Sequence, residues 1–204
     1  DDSLVVLYDD KGNLQAARGW WTLKWAGLEN VRLLDGGLPA AEAAGLKLAP
    51  LNLSQSLSQS PSSRDVGTAT LSEGHLPVLD ADQAAGYAAR DLLIDARAAK
   101  AFTGDPVAKT GGHIGGSVNL PASGNLDAQG RFLPDPDLSK RFSLIEGPPR
   151  PRIGVTCGAG VSAAHNAAAL AILGIEAALF VGSWSAWSAD PARPVTYGSE
   201  TDPV

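Results

Sequence analysis

The chain has 204 residues and a net charge of -6 at pH 7, and apolar side chains make up 44% of it. This length allows one large or two small domains, and the negative charge argues against a nucleic-acid surface, which needs clustered Lys and Arg. No apolar run is long enough to span a membrane. The single cysteine, Cys157, excludes an intrachain disulfide and a multi-cysteine metal site. It fits a reducing compartment, and with no signal-peptide pattern at the start we expect a cytoplasmic protein.

The first part of the chain predicts alternating strands and helices. An apolar run at 4–8 predicts a strand covered on both faces, and the apolar spacing at 14–26 predicts a helix that ends at Gly27. A second strand is predicted at 31–34 and a short helix at 39–44. This β-α-β-α order implies a parallel sheet with a right-handed crossover. The stretch 47–76 contains a Ser- and Gln-rich segment and predicts a linker with some extended pieces.

A second unit begins near residue 77 and repeats the alternation. Its first helix is predicted at 80–89, capped by Asp80 or Asp82. Further helices are predicted at 98–102, 138–145 and 161–173, with a last helical turn after Gly182. The predicted strands are 91–94, 117–120, 153–156 and 178–181. The fold class expected from this order is α/β, with a parallel sheet and helices on both faces.

The most informative stretch is the strand, loop and helix around the cysteine. The strand at 153–156 ends at Cys157, two glycines flank the next alanine, and a helix-favouring run follows. Such a loop turns successive N–H groups inward, and the helix N-terminus adds positive potential that stabilises a thiolate. We therefore expect Cys157 to be a nucleophile, with loop N–H groups from Gly158, Ala159, Gly160, Val161 and Ser162. This requires an accessible sulfur; the alternative is a structural cysteine buried beside a tight turn.

An internal repeat relates the two units. The segment that begins with V-V-L-Y-D-D and ends with L-L-D-G-G-L aligns with the segment from I-G-V-T-C to F-V-G-S-W. In this alignment Asp9 falls opposite Cys157. Because a carboxylate cannot perform thiolate chemistry, the first unit is predicted to be a catalytically silent copy.

Two motifs carry a family resemblance. The loop C-G-A-G-V-S-A and the later segment V-G-S-W-S-A-W-S-A-D-P closely resemble the active-site loop and C-terminal signature of two-domain rhodanese-like sulfurtransferases. The resemblance implies a partial, silent rhodanese-like domain at 1–46 that lacks its front half, a linker at 47–76 and an active domain at 77–204. A sheet without its front strands would expose apolar surface, and we expect lower stability or association there, with Trp20, Trp21 and Trp25 losing part of their cover.

The resemblance also implies roles for residues outside the loop. Asp95 and Arg97 match a scaffold ion pair near the loop, Lys100 stands where the family has a substrate-binding arginine, and Lys109 is a weak second candidate for anion binding. Trp184 matches a residue that walls the pocket. His113 matches a residue that supports a turn, and His165 is expected to pack. The three histidines and one cysteine are too dispersed for a metal site, and the reaction needs no cofactor.

The function implied is sulfur transfer. A sulfane sulfur would pass from thiosulfate or 3-mercaptopyruvate, through a Cys157 persulfide, to cyanide, a small thiol or thioredoxin. The loop resembles the 3-mercaptopyruvate type more closely, although Ala159 replaces the serine of that type. One alternative is a slow sulfur relay or binding module, because the N-terminal domain is incomplete. Another is a cysteine-based phosphatase, whose longer loop ends in an arginine where this chain has Ala163 and Ala164.

Overall fold

A computed structural model describes residues 3–47, 68–145 and 151–199. The helices are α1 (Ala16–Trp25), α2 (Gly37–Ala43), α3 (Ala81–Arg90), α4 (Ala99–Thr103), α5 (Asp135–Arg141), α6 (Val161–Ile172) and α7 (Ser183–Ala189). The strands are β1 (Val5–Leu7), β2 (Val31–Leu33), β3 (Val78–Leu79), β4 (Leu92–Asp95), β5 (Val118–Asn119), β6 (Ile153–Thr156) and β7 (Ala178–Phe180). Short 3₁₀ turns lie at Ala122–Asn125 and Ser143–Ile145.

The strands form two parallel sheets. The larger has the order β3-β7-β6-β4-β5, and the smaller pairs β1 with β2. In the larger sheet every residue of the central strands β4 and β6 is buried. One cluster of buried side chains packs with α5 and α6 on one face, and a second packs with α3 and α7 on the other. This arrangement confirms the predicted α/β fold with helices on both faces of a parallel sheet.

Helix α3 begins with the predicted cap. The Asp80 carboxylate accepts a hydrogen bond from the Gln83 N–H at 2.8 Å, and the Gln83 side chain accepts one from the Asp80 N–H at 2.9 Å. These two bonds satisfy donors that the first helical turn cannot pair by itself. The cap fixes the start of the helix that covers one face of the sheet.

The N-terminal unit shares its core with the larger sheet. Helix α1 packs against α6, and the buried Trp21 belongs to the same cluster as Val155 of β6. Trp20 and Trp25 are half-buried, whereas Trp21 is buried. The end of the predicted linker also contacts α1, since His75 donates its backbone N–H to the Trp25 carbonyl. Residues 48–67 of that linker lie outside the described ranges.

Two expectations about local structure were wrong, and one strand was missed. Strand β1 is not covered on both faces: Val6 is 45% and Tyr8 54% exposed, because α1 packs against a sheet of only two strands. The helix predicted at 138–145 begins at Asp135 and ends at Arg141, since Pro136 suits a first turn and cannot lie in a helix interior. Strand β3 was missed because its two residues show no periodicity.

Candidate functional site

The loop after β6 lies at the carboxyl edge of the larger sheet. Strand β6 pairs with β4 on one side and β7 on the other, and α6 begins at Val161, four residues after the cysteine. The first N–H groups of a helix have no carbonyl partner within that helix. The predicted loop residues therefore stand where unpaired N–H groups and the positive end of the helix dipole meet.

The two loop glycines differ in what the backbone requires of them. Gly160 has a φ of 79°, and a Cβ there would lie 2.8 Å from both the Val181 carbonyl oxygen and an Arg18 nitrogen. A Cβ on Gly158 would enter open space. Only Gly160 thus needs to be glycine for the turn itself, since other residues rarely adopt that conformation. The Arg18 guanidinium also donates to the Gly160 carbonyl at 3.4 Å, a contact between the two units that the sequence did not indicate.

Cys157 is buried, with 2% of its surface exposed. Its sulfur belongs to the core cluster that includes Val155 and Ala163. The sequence-based interpretation required an accessible sulfur, and this structure does not meet that requirement. The two loop residues that follow the cysteine are more accessible to solvent than Cys157 itself, because Ala159 is exposed and Gly158 is half-buried.

The start of α7 covers and holds the cysteine. Ser183 accepts a hydrogen bond from the Cys157 N–H at 3.2 Å and donates to the Phe180 carbonyl at 2.7 Å, with its oxygen 4.0 Å from the sulfur. The N–H of Trp184 donates to the Cys157 carbonyl at 2.9 Å. Ser185 donates to the Gly158 carbonyl through both its N–H and its hydroxyl. These contacts fix the loop to α7, and Ser185 was not among the predicted site residues.

Arg97 is brought together with Asp95 and Trp184. Its guanidinium contacts the Asp95 carboxylate at 2.6 Å, with side-chain exposures of only 9% and 2%. The same guanidinium donates to the Gly112 carbonyl at 2.7 Å and lies 4.6 Å from the centre of the Trp184 ring. Arg97 is therefore committed to contacts that position neighbouring segments, which agrees with the scaffold role that the resemblance implies.

The remaining predicted residues lie on α4 or near it. Lys100 is exposed on α4, and the described residues give it no hydrogen bond or ion pair with the loop. Lys109 is exposed in a turn and has a φ of 53°. The buried His113 contacts the Phe102 carbonyl at 3.0 Å and stacks on the Phe102 ring, as expected of a residue that supports a turn.

Asp9 occupies in the first unit the place that Cys157 has in the second. Its carboxylate accepts four backbone N–H bonds, from Lys11, Asn13, Gln15 and Ala16, at 2.7 to 2.9 Å. Burial opposes ionisation, but these four donors together hold the pKa of Asp9 below its ordinary value. The loop of the first unit thus encloses a fixed anion, and its donors are already occupied.

His165 links the two units, a role that the sequence did not indicate. Its Nε2 lies 3.0 Å from the Gly12 carbonyl oxygen and its Nδ1 lies 3.2 Å from the Asn125 amide nitrogen. The Asn125 oxygen accepts from Arg141, which orients the amide nitrogen toward the imidazole. These contacts assign a neutral ring that donates from Nε2 and accepts at Nδ1. Burial lowers the pKa of His165, and the Gly12 carbonyl and Asp9 only partly offset this.

Acidification is expected to destabilise the protein through His165. Its folded pKa lies below the ordinary value, so the unfolded chain binds the proton first and stability falls as the pH drops below about 6.5. The slope approaches about 1.4 kcal/mol per pH unit for each such histidine. Denaturant titrations between about pH 7.5 and pH 5 should show a smaller slope in His165→Gln than in the wild type. Burial also lowers the pKa of His113. This histidine is present in both the wild type and His165→Gln, so it does not contribute to the difference between their slopes. Equal slopes would contradict this linkage.

The described residues contain no group of three or more His, Cys, Asp or Glu side chains that could hold a metal ion. In the same ranges, none of the helices has the length and apolar character needed to cross a membrane. Ala163 and Ala164, which stand where a phosphatase loop would have its arginine, are both fully buried.

Comparisons with known proteins agree with the α/β fold described above. The rhodanese-like domain family matches residues 1–44 and 78–190. A Mycobacterium tuberculosis protein named as a thiosulfate sulfurtransferase, SseB, is 43% identical over 97% of this chain and 68% of its own length. A Pseudomonas aeruginosa protein named as a 3-mercaptopyruvate sulfurtransferase is 41% identical over 97% and 69%.

Solved structures show the same fold. The wild-type structure of EanB superposes with a TM-score of 0.77 at 18% identity, over 96% of this chain and 50% of the other. YnjE gives a TM-score of 0.75 at 23% identity, over 97% and 49%. The chain thus spans about two thirds of the sulfurtransferases named above and about half of these two structures. With its family match and its 43% identity to SseB, the chain belongs to the rhodanese-like sulfurtransferase family.

Proposed function

We propose that this protein is a sulfurtransferase that carries sulfane sulfur as a persulfide on Cys157. The observation that carries the proposal is the position of the single cysteine, between β6 and the N-terminus of α6, in a chain of the rhodanese-like family. A thiolate there is a nucleophile, and the loop N–H groups stabilise the negative charge of both thiolate and persulfide.

The reaction has two steps. The Cys157 thiolate attacks the outer sulfur of thiosulfate, a bond forms between the two sulfurs, and sulfite leaves with the electron pair of the broken S–S bond. With 3-mercaptopyruvate the C–S bond breaks instead, and the carbon takes a proton to give pyruvate. Cyanide or a thiol, including that of thioredoxin, then attacks the outer sulfur and regenerates the thiolate. Neither step requires a cofactor.

The predicted site residues have distinct roles in this proposal. Gly158, Ala159, Gly160, Val161 and Ser162 supply N–H groups around the sulfur. Trp184 forms a wall, Arg97 positions it through the ring contact, and Lys100 attracts the anionic donor. Because only 2% of Cys157 is exposed, the donor reaches the sulfur only after the loop or the Cys157 side chain shifts.

We also propose the division into a silent unit at 1–46, a linker at 47–76 and an active unit at 77–204. The carboxylate of Asp9, which occupies the loop donors of the first unit, supports the silent assignment. A cytoplasmic location is supported by the need to keep Cys157 reduced.

Intact-mass and turnover measurements test the function. Incubation with thiosulfate or 3-mercaptopyruvate is expected to add one sulfur atom per chain, because the chain has one cysteine. Cyanide should remove that sulfur and release thiocyanate over many turnovers. Adduct formation without repeated release would favour the sulfur relay, and the absence of any adduct with both donors would contradict the proposal.

A further inference from the structure

Ser183 has a backbone conformation that serine rarely adopts. Its φ is 52°, in the left-handed region, and 0% of its surface is exposed to solvent. A residue other than glycine is strained in this region, and strain of this kind persists only where the surrounding contacts compensate for it. Such residues cluster at active sites, and Ser183 lies directly against the proposed nucleophile. The contacts of Ser183 therefore indicate what the strain maintains.

The Ser183 hydroxyl group joins two backbone groups beside the sulfur. It donates its single proton to the Phe180 carbonyl at 2.7 Å and accepts from the Cys157 N–H at 3.2 Å. Because that proton is engaged at the shorter contact, the oxygen faces the sulfur at 4.0 Å without donating to it. If the hydroxyl were removed, the Cys157 N–H and the Phe180 carbonyl would both lose this partner, which is costly for buried groups.

The backbone around the sulfur is held by the same turn of α7. Trp184 and Ser185 donate their N–H groups to the Cys157 and Gly158 carbonyls, each at 2.9 Å. The loop has room to move, because a Cβ on Gly158 would meet nothing within 4 Å. Separation of the loop from the start of α7 would break these bonds, relieve the strain at Ser183 and uncover the sulfur.

We propose that Ser183 is a positioning residue that keeps Cys157 in a closed, buried arrangement, and that the sulfur reacts only when the loop separates from the start of α7. The inference rests on the proposed sulfur transfer and assigns the step that gives the donor access to a cysteine with 2% of its surface exposed. The hydroxyl bonds of Ser183 favour the closed arrangement, and its backbone strain favours the open one. The balance between them sets the fraction of chains whose sulfur is available.

Alkylation of Cys157 by iodoacetamide, followed by intact mass, measures that fraction without sulfur transfer, since the chain has one cysteine. Ser183→Ala is expected to react about tenfold faster than the wild type, because two backbone groups lack their partner in the closed arrangement. Ser188→Ala is the matched control, since it removes an exposed hydroxyl on the same helix that donates to the Trp184 carbonyl. It should react at the wild-type rate. Equal rates for Ser183→Ala and Ser188→Ala would overturn the proposal.

Ser183→Gly separates the effect of the hydroxyl from that of the strain. Glycine also lacks the hydroxyl, but it adopts a positive φ readily, so the closed arrangement is less strained than with alanine. Ser183→Gly should therefore react about fivefold more slowly than Ser183→Ala and still faster than the wild type. A rate equal to or above that of Ser183→Ala would contradict the role assigned to the strain.

The urea dependence of alkylation distinguishes local opening from unfolding of the whole protein. A local separation exposes little surface, so the rates of the wild type and Ser183→Ala should change little well below the unfolding transition. Rates that rise with the slope of global unfolding would also overturn the proposal. If the expected rates are found but no persulfide forms, the proposed function fails and positioning by Ser183 stands. If persulfide forms and Ser183→Ala reacts like Ser188→Ala, the positioning role fails and the proposed function stands.

Discussion

Replacing Cys157 by serine is expected to reduce thiocyanate release to the uncatalysed rate, a loss of at least about 10³-fold. A serine hydroxyl cannot carry the transferred sulfur as a persulfide, and no second cysteine is present to replace it. The measurement is thiocyanate release from thiosulfate and cyanide, together with the intact mass after donor treatment. The variant should gain no sulfur at any donor concentration.

The control for this prediction is Cys157→Ala. Because Cys157 lies in a core cluster of buried apolar residues that includes Ala163 and Ala164, alanine replaces the cysteine without placing a new polar group in the core. Both variants should unfold cooperatively at denaturant concentrations close to that of the wild type, which separates loss of chemistry from loss of folding. Thiocyanate release by either folded variant at the wild-type rate would exclude Cys157 as the sulfur carrier.

Replacing Arg97 by alanine is expected to lower the free energy of unfolding by about 3–5 kcal/mol. The Asp95 carboxylate is 1% exposed and would retain the 2.9 Å bond from the backbone N–H of residue 97 after losing the guanidinium contacts. An uncompensated buried charge is costly. The Trp184 ring also loses its cationic neighbour, so activity should fall as well. Urea titrations give the stability change, and Arg97→Lys should recover only part of it because lysine lacks the guanidinium fork.

The chain provides a matched control for Arg97 in a second Arg–Asp pair. Arg152 contacts Asp91 at the same 2.6 Å and lies 4.8 Å from the Tyr87 ring centre, but the side-chain exposures are 66% and 14%. Arg152→Ala should therefore cost much less stability than Arg97→Ala, because water screens an exposed pair. In addition, Asp95→Asn should restore part of the stability of Arg97→Ala by removing the orphaned charge. Equal losses for the two arginine variants would show that burial does not set the cost.

The strand, loop and helix around Cys157 could be predicted because local signals agree there. An apolar run, two glycines and an alanine-rich segment place the strand at the predicted residues 153–156 and start the helix at the predicted Val161. Gly160 takes the left-handed conformation that such a loop requires. The cap at Asp80 could be predicted for the same reason, since a capping box is defined by two residues that are three positions apart. The ion pair of Asp95 and Arg97 is also local, because the two residues are only two positions apart in the sequence.

The sequence by itself determined the order of the elements apart from β3, the α/β class and the location of the single thiol, because each depends on neighbours along the chain. Tertiary structure alone decided that Cys157 is covered by the start of α7 and that His165 meets Gly12. It also left one face of β1 exposed. Each of these features joins segments far apart in sequence, and the packing that sets their distance and burial has no periodic signal in the chain.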